Sequence, residues 1–220
     1  MHKSVPALLV ALLASSSVPA DCQTTDPVAR TVSRSASSET AESAARDLFI
    51  NGDYDKAVPL LERAVAQDPK DLQLLNVLGM AYLYSSSRID SRANFAHVQP
   101  TMEKVIEGGG TATFMVGRAM DGRMMKVKSV LKAVTGELAI NKSAMTFTPS
   151  HGDSEAVGPV SKDEIKECGL NRTYGKDSNT FHIKTTSNGD LDFRPLHFSK
   201  DEATVVCTLA AKYWGIKFNE

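Results

Sequence analysis

The side chains able to do chemistry in this 220-residue chain are few and do not converge on one reaction. Gly169 to Lys176 has the glycine and lysine of a phosphate-cradling loop, but the spacing is one residue too long. Asp177 also stands where that loop needs a Ser or Thr hydroxyl for the metal. His97, His151, His182 and His197 are scattered along the sequence. His182 and His197 each alternate with apolar strand-type residues, so both are expected to point outward, as surface histidines rather than general bases. No Gly-x-Ser-x-Gly elbow holds a nucleophile. Neither a Cys-x-x-Cys pair nor a Cys/His cluster is present to ligate zinc. The sequence therefore leads us to expect no catalytic residues, no metal, no cofactor and no enzyme.

Cys22, Cys168 and Cys207 form an odd set. Cys168 and Cys207 share the C-terminal half and are the expected disulfide pair in an oxidising compartment, with two buried free thiols as the open alternative. Charge concentrates in one place: Arg118, Arg123, Lys126, Lys128 and Lys132 face only Asp121. Clustered cations attract anionic ligands or lipid headgroups, although a merely solvated basic loop has the same composition. Across the chain 25 basic residues meet 26 acidic ones, which gives no bulk charge for nucleic-acid binding.

The ends and the periodicity say what must position these groups. Val5 to Ala14 is apolar apart from Pro6, follows Lys3, and leads to Val18-Pro19-Ala20, small residues suited to cleavage after Ala20. The stretch is shorter than the roughly 20 residues that span a bilayer. Residues 1–20 are read as a signal peptide, with an uncleaved anchor as the alternative. Residues 21–37 are rich in Ser, Thr and Arg and read as a flexible leader. The product is expected to be exported, periplasmic or secreted, and of bacterial type.

From Ser38 to Glu107 the apolar spacing is helical. Ala41, Ala44, Ala45 and Leu48 form one stripe, and Ala57, Leu60, Leu61, Ala64 and Val65 another. Gly52-Asp53 separates them, and Asp68-Pro69 ends the second. Leu75, Leu78 and Tyr82 mark a third helix. Gly52, Tyr54, Ala57, Leu61, Ala64 and Pro69, followed by Leu75, Leu78, Gly79, Ala81 and Tyr82, resemble tetratricopeptide repeats, whose unit is about 34 residues. In that register Asp53 and Asp55 flank a packing tyrosine, which explains them better than a calcium loop does. Ser85-Ser86-Ser87 then departs from the pattern, so residues 38–107 hold one good repeat and one degenerate one. A last helix is expected near Phe95, with Pro100 in its first turns and Gly108-Gly109-Gly110 as its stop.

The resemblance implies a concave groove lined by Glu42, Arg46 and Phe49 from one unit and by Asn76, Met80 and Leu83 from the next. Such a groove docks a partner peptide or helix. Alternatively this face packs on the second half of the chain, because two repeats alone bury little core.

After Gly110 the pattern turns to strands. Thr111 to Val116, Gly136 to Ile140, Ala144 to Thr148, Val160 to Ile165, Thr180 to Ile183 and Leu191 to Phe193 read as strands. Asn141 to Ser143 and Ser187 to Asp190 read as turns. Ser199 and Glu202 form the signature of a capping box before a helix with Ala203, Val206, Cys207, Ala210 and Trp214 on its inner stripe and Gly215 at its end. This order over residues 111–218 resembles a pleckstrin-homology-like (PH-like or GRAM-like) domain.

The expected fold is therefore α+β: antiparallel helical hairpins followed by a small antiparallel β-barrel closed by a C-terminal helix. The expected partner is a protein or peptide, with no nucleic acid, no transmembrane span, and a homo-oligomer left open. An anionic ligand bound through the basic stretch is the alternative. If the leader is a signal peptide, N-terminal sequencing of the exported protein should read Asp21 as its first residue. A product that still begins before Val18 would refute the cleavage site.

Overall fold

The computed structural model describes residues 36–86, 92–119, 133–151, 156–173, 176–197 and 199–219. The signal peptide, nearly all of the leader and Cys22 lie outside them. Four helices come first: α1 (Ala36–Ile50), α2 (Tyr54–Gln67), α3 (Leu72–Ser86) and α4 (Arg92–Glu107). Each packs against its chain neighbour. The α1–α2 turn depends on Gly52, whose φ of 80° suits a residue without a Cβ. Its amide donates to the Phe49 carbonyl and that of Asp53 to the Leu48 carbonyl, which closes α1 with paired bonds across the turn. α2 is amphipathic, with Ala57, Val58, Leu61 and Ala64 buried. α3 starts on the Asp71 carboxylate, which accepts from the Leu74 amide at 2.9 Å. It is buried continuously from Leu74 to Ser85, as befits a central helix. Gly79 lets α4 come close: a Cβ there would stand 2.9 Å from the Met102 side chain. Pro100 falls in the middle of α4 rather than in its first turns, on an exposed position.

The strands are β1 (Ala112–Arg118), β2 (Val134–Ile140), β3 (Ala144–Pro149), β4 (Val157–Ser161), β5 (Ile165–Thr173), β6 (Lys176–Thr185), β7 (Asp190–Pro195) and β8 (Lys217–Asn219). Helix α5 (Lys200–Trp214) precedes β8. They form one sheet in the order β4-β3-β2-β1-β7-β6-β5-β8. Neighbours are antiparallel except β5 and β8. The chain is α+β as expected, but the sheet is open, with β4 and β8 at its edges, so the expected closed barrel is not what the pairing gives. The expected strand from Val160 to Ile165 is in fact the end of β4, a short 3-10 turn and the start of β5. Gly169 to Lys176 belongs to the β5–β6 hairpin, not to a phosphate loop.

α5 packs across β5, β6 and β7. Its capping box does not form: Ser199 makes no side-chain cap, and Glu202 instead accepts from His197 Nδ1 at 2.9 Å. Gly215, with φ 65°, ends it. Cys168 on β5 and Cys207 on α5 are free, buried thiols joined by a hydrogen bond, and burial pushes the Cys168 thiol well up.

A single apolar core runs from Ala45 in α1 to Trp214 in α5. The two halves are stitched at three places. Lys142 Nζ of the β2–β3 turn donates to the Glu107 carbonyl at the end of α4 at 3.0 Å. Tyr213 donates to the Glu103 carbonyl of α4 at 3.2 Å, beside a Lys212–Glu103 ion pair of 2.8 Å. The third and most buried contact joins α3 to β1. β1 pairs with β7 only from Val116 to Arg118, so its first half has one edge without a strand. Side chains of α3 fill that edge. Asn76 Oδ1 accepts from the Thr113 amide at 3.0 Å while its Nδ2 donates to Thr113 Oγ1 at 2.7 Å. Thr113 Oγ1 is 3.3 Å from Met80 Sδ, and the Tyr84 hydroxyl accepts from the Met115 amide at 3.2 Å. Asn76, Met80 and Tyr84 recur every fourth residue, one face of a helix. Replacing Asn76 with alanine orphans a buried amide and should cost about 1–3 kcal/mol in urea unfolding. A loss under about 0.5 kcal/mol would show that the clasp is not needed.

Candidate functional site

Where α1 and α3 meet the β1–β2 hairpin they leave a cavity of about 370 Å³. That falls in the range of roughly 300–1,000 Å³ typical of ligand pockets. α1 contributes Arg46, Phe49 and Ile50 at its C-terminal end, and α3 contributes Leu72, Gln73, Asn76, Val77 and Met80. Gly110, Thr111 and Thr113 enter with β1, and Glu137 from β2. The cavity forms because α3 lies on β1 while α1, one helix further out, stands clear of β2. Its walls are mostly apolar, with Phe49, Val77 and Met80 buried and Ile50 and Leu72 half-buried.

Phe49 is held from behind by an aromatic cluster. Its ring centroid is 5.3 Å from Tyr54 and 6.2 Å from Tyr84, and Tyr84 stands 5.4 Å from the His197 ring. His197 therefore turns inward, against the outward orientation expected of it, because Glu202 and Tyr84 together give it a polar and an aromatic partner. His182 is half-buried between Asn171 Oδ1 at 2.9 Å and Glu167 Oε1 at 3.2 Å. Burial raises the Tyr84 hydroxyl far above the usual phenol range, so it stays neutral.

The polar groups of the cavity differ in how they are satisfied. Arg46 Nε and Nη2 both donate to Glu42 Oε1, at 3.1 and 2.9 Å. Asn76 is committed to Thr113. Glu137 is different. It lies opposite Met115 on β1 and Thr148 on β3, half-buried, with no hydrogen-bond or ion-pair partner among the described residues. Burial alone pushes its carboxyl above the ordinary value.

Four of the six groove residues expected from sequence thus line one cavity: Arg46, Phe49, Asn76 and Met80. Glu42 sits one turn away as the partner of Arg46. Leu83 is buried in the core outside that cavity. Glu137, Ile50 and Leu72 were not expected. In the alternating run Gly136 to Ile140, Glu137 reads as a solvent-facing position, and nothing local shows that α1 and α3, far earlier in the chain, cover it. Of the basic stretch, Arg118 ends β1, while Arg123, Lys126, Lys128 and Lys132 lie outside the described residues. Among the described residues no group of three or more acidic, histidine or cysteine side chains could hold a metal, and no helix is long and apolar enough to cross a membrane.

A family model for the tetratricopeptide repeat matches residues 39–81. The match covers most of α1, all of α2 and most of α3, and so includes α1 and α3, which line the cavity. No curated protein matches the chain. Two solved structures are similar at a low level. The Spt16D Pob3N heterodimer has 11% identity and a TM-score of 0.35 over 50% of this chain and 54% of its own. The N-terminal PH domain of human ARAP2 has 9% identity and a TM-score of 0.35 over 47% of this chain and 78% of its own. This chain therefore spans about half the length of the first of them. Likeness at that level decides neither fold nor role.

Glu137 gives a stability test. Its folded carboxyl holds its proton to higher pH than in the unfolded chain, so folding takes up protons between the two values. Stability should fall as pH rises through that window. Glu137→Gln should therefore match the wild type in acid and melt higher at pH 7. A variant that melts lower at pH 7 would reveal a stabilising role for the carboxylate.

Proposed function

We propose that this chain is a non-enzymatic interaction module of the cell envelope that docks a segment of a partner protein in the cavity between its repeats and its sheet. Tetratricopeptide repeats suggest protein–protein interaction, and the repeat match supports that class. The observation that carries the reading is the cavity itself: an apolar recess that both halves of the chain build and that neither closes. Its position agrees with the groove expected from the repeat register. The sheet half, which we read as PH-like, takes the place of the further repeats that a two-repeat array lacks. The leader supports placing the protein outside the cytoplasm, as an exported product.

Phe49 and Met80 are too buried, at 3% and 4%, to be replaced by charge without disturbing the core. The partly exposed lining residues are better probes. A photo-cross-linking amino acid at Gln73, on the cavity rim, should capture a discrete partner in the native envelope. The same group at the exposed Arg63 on α2 should not. Adding Ile50→Glu should lower the Gln73 yield about tenfold, the effect of placing a charge in an apolar contact. Equal capture from both positions, or none from Gln73, would refute the docking site.

A further inference from the structure

The cavity has one unmet requirement, and it specifies the occupant. Its walls carry two ionisable side chains, Arg46 and Glu137. Arg46 is neutralised by Glu42, which takes both of its donated bonds. The polar atoms of Asn76 are taken by Thr113. Glu137 remains a carboxylate in a mostly apolar recess with no partner among the described residues. A half-buried carboxylate without a counter-charge is partly stripped of water, and a cation with hydrogen-bond donors would compensate it. Beside it lie Phe49, Ile50, Val77 and Met80, which favour apolar contact.

A metal ion is a poor candidate for that cation. One carboxylate is too few ligands, and no cluster of three or more ligating side chains occurs among the described residues. An acidic segment is excluded by repulsion from Glu137. A lysine or arginine side chain fits both demands, since its stem packs on apolar walls while its head reaches the carboxylate.

We propose that the cavity selects a partner peptide carrying a lysine or arginine next to an apolar residue, with Glu137 as the counter-charge and the Phe49–Met80 wall as the apolar contact. This rests on the reading of the cavity as a peptide-docking site. Charge then sets which segment binds, and apolar contact holds it.

The test is a positional-scanning octapeptide array that fixes Lys, Arg, Gln, Glu or Leu at each position in turn, probed with the purified full-length chain. Lys and Arg should exceed Gln at one position by about tenfold or more. Leu should be favoured at an adjacent position, and Glu should be rejected. Glu137→Gln should abolish the basic preference and keep that for Leu. Glu137→Lys should invert the charge preference towards Glu. Both variants are to be checked for wild-type circular dichroism, so that a lost preference is not lost folding.

Binding that prefers Leu but ignores charge, or a basic preference that survives Glu137→Gln, would overturn this inference and leave the docking site standing. A Glu137-dependent dimer in sedimentation, with no peptide bound, would overturn it in favour of a second copy as the occupant. No peptide binding together with no cross-linking at Gln73 would remove both readings.

Discussion

The structure turns on two backbone amides of β1. A strand interior to a sheet needs acceptors on both edges, and β7 stops short of Thr113 and Met115. Buried amides without acceptors are not tolerated. The chain meets the need with side chains of a helix: the Asn76 carbonyl for one amide and the Tyr84 hydroxyl for the other. A helix cannot offer its own backbone to a strand, because its carbonyls are used within it. A row of acceptors at one-turn spacing is the next best arrangement. This fixes α3 along β1, and α3 in turn fixes the other helices.

The cavity follows from that docking. α3 lies against β1, and α1 is separated from β2 because α1 packs on α2 rather than on the sheet. The space between is walled by repeat residues on one side and by the hairpin on the other. It also shields Glu137 in part from water without giving it a hydrogen-bond or ion-pair partner among the described residues. Such a carboxylate works against folding at neutral pH.

Much of the helical half was legible in the sequence because its signals are local. Gly52 at a turn, Gly79 at a close crossing and Pro69 after a helix end each act within a few residues of themselves. The sheet half was legible in outline, since alternation shows where most strands run but not how they pair. The spacing of Gly169 to Lys176 already argued against a phosphate loop, but only the strand pairing shows that the stretch belongs to a hairpin. Glu202 misled because a carboxylate three residues after a serine has two nearby donors, and His197 competed better than the helix terminus. Of the six residues that the repeat register groups together, Arg46, Phe49, Asn76 and Met80 line one cavity. Leu83 lies buried outside that cavity, because the end of α3 is packed into the common core. Glu137 was invisible because its environment is made by segments distant in sequence.

The clasp between α3 and β1 also says something about how this protein could have been assembled. A sheet whose half-open edge is sealed by foreign side chains is not a portable unit. Detached from the helices, it would present bare donors to any extended chain nearby, including its own copies. The helices, for their part, would lose the surface that replaces their missing repeats. The clasp therefore makes each half depend on the other for a satisfied surface. A recombination event that shuffled either one alone would yield a sticky fragment in place of a domain.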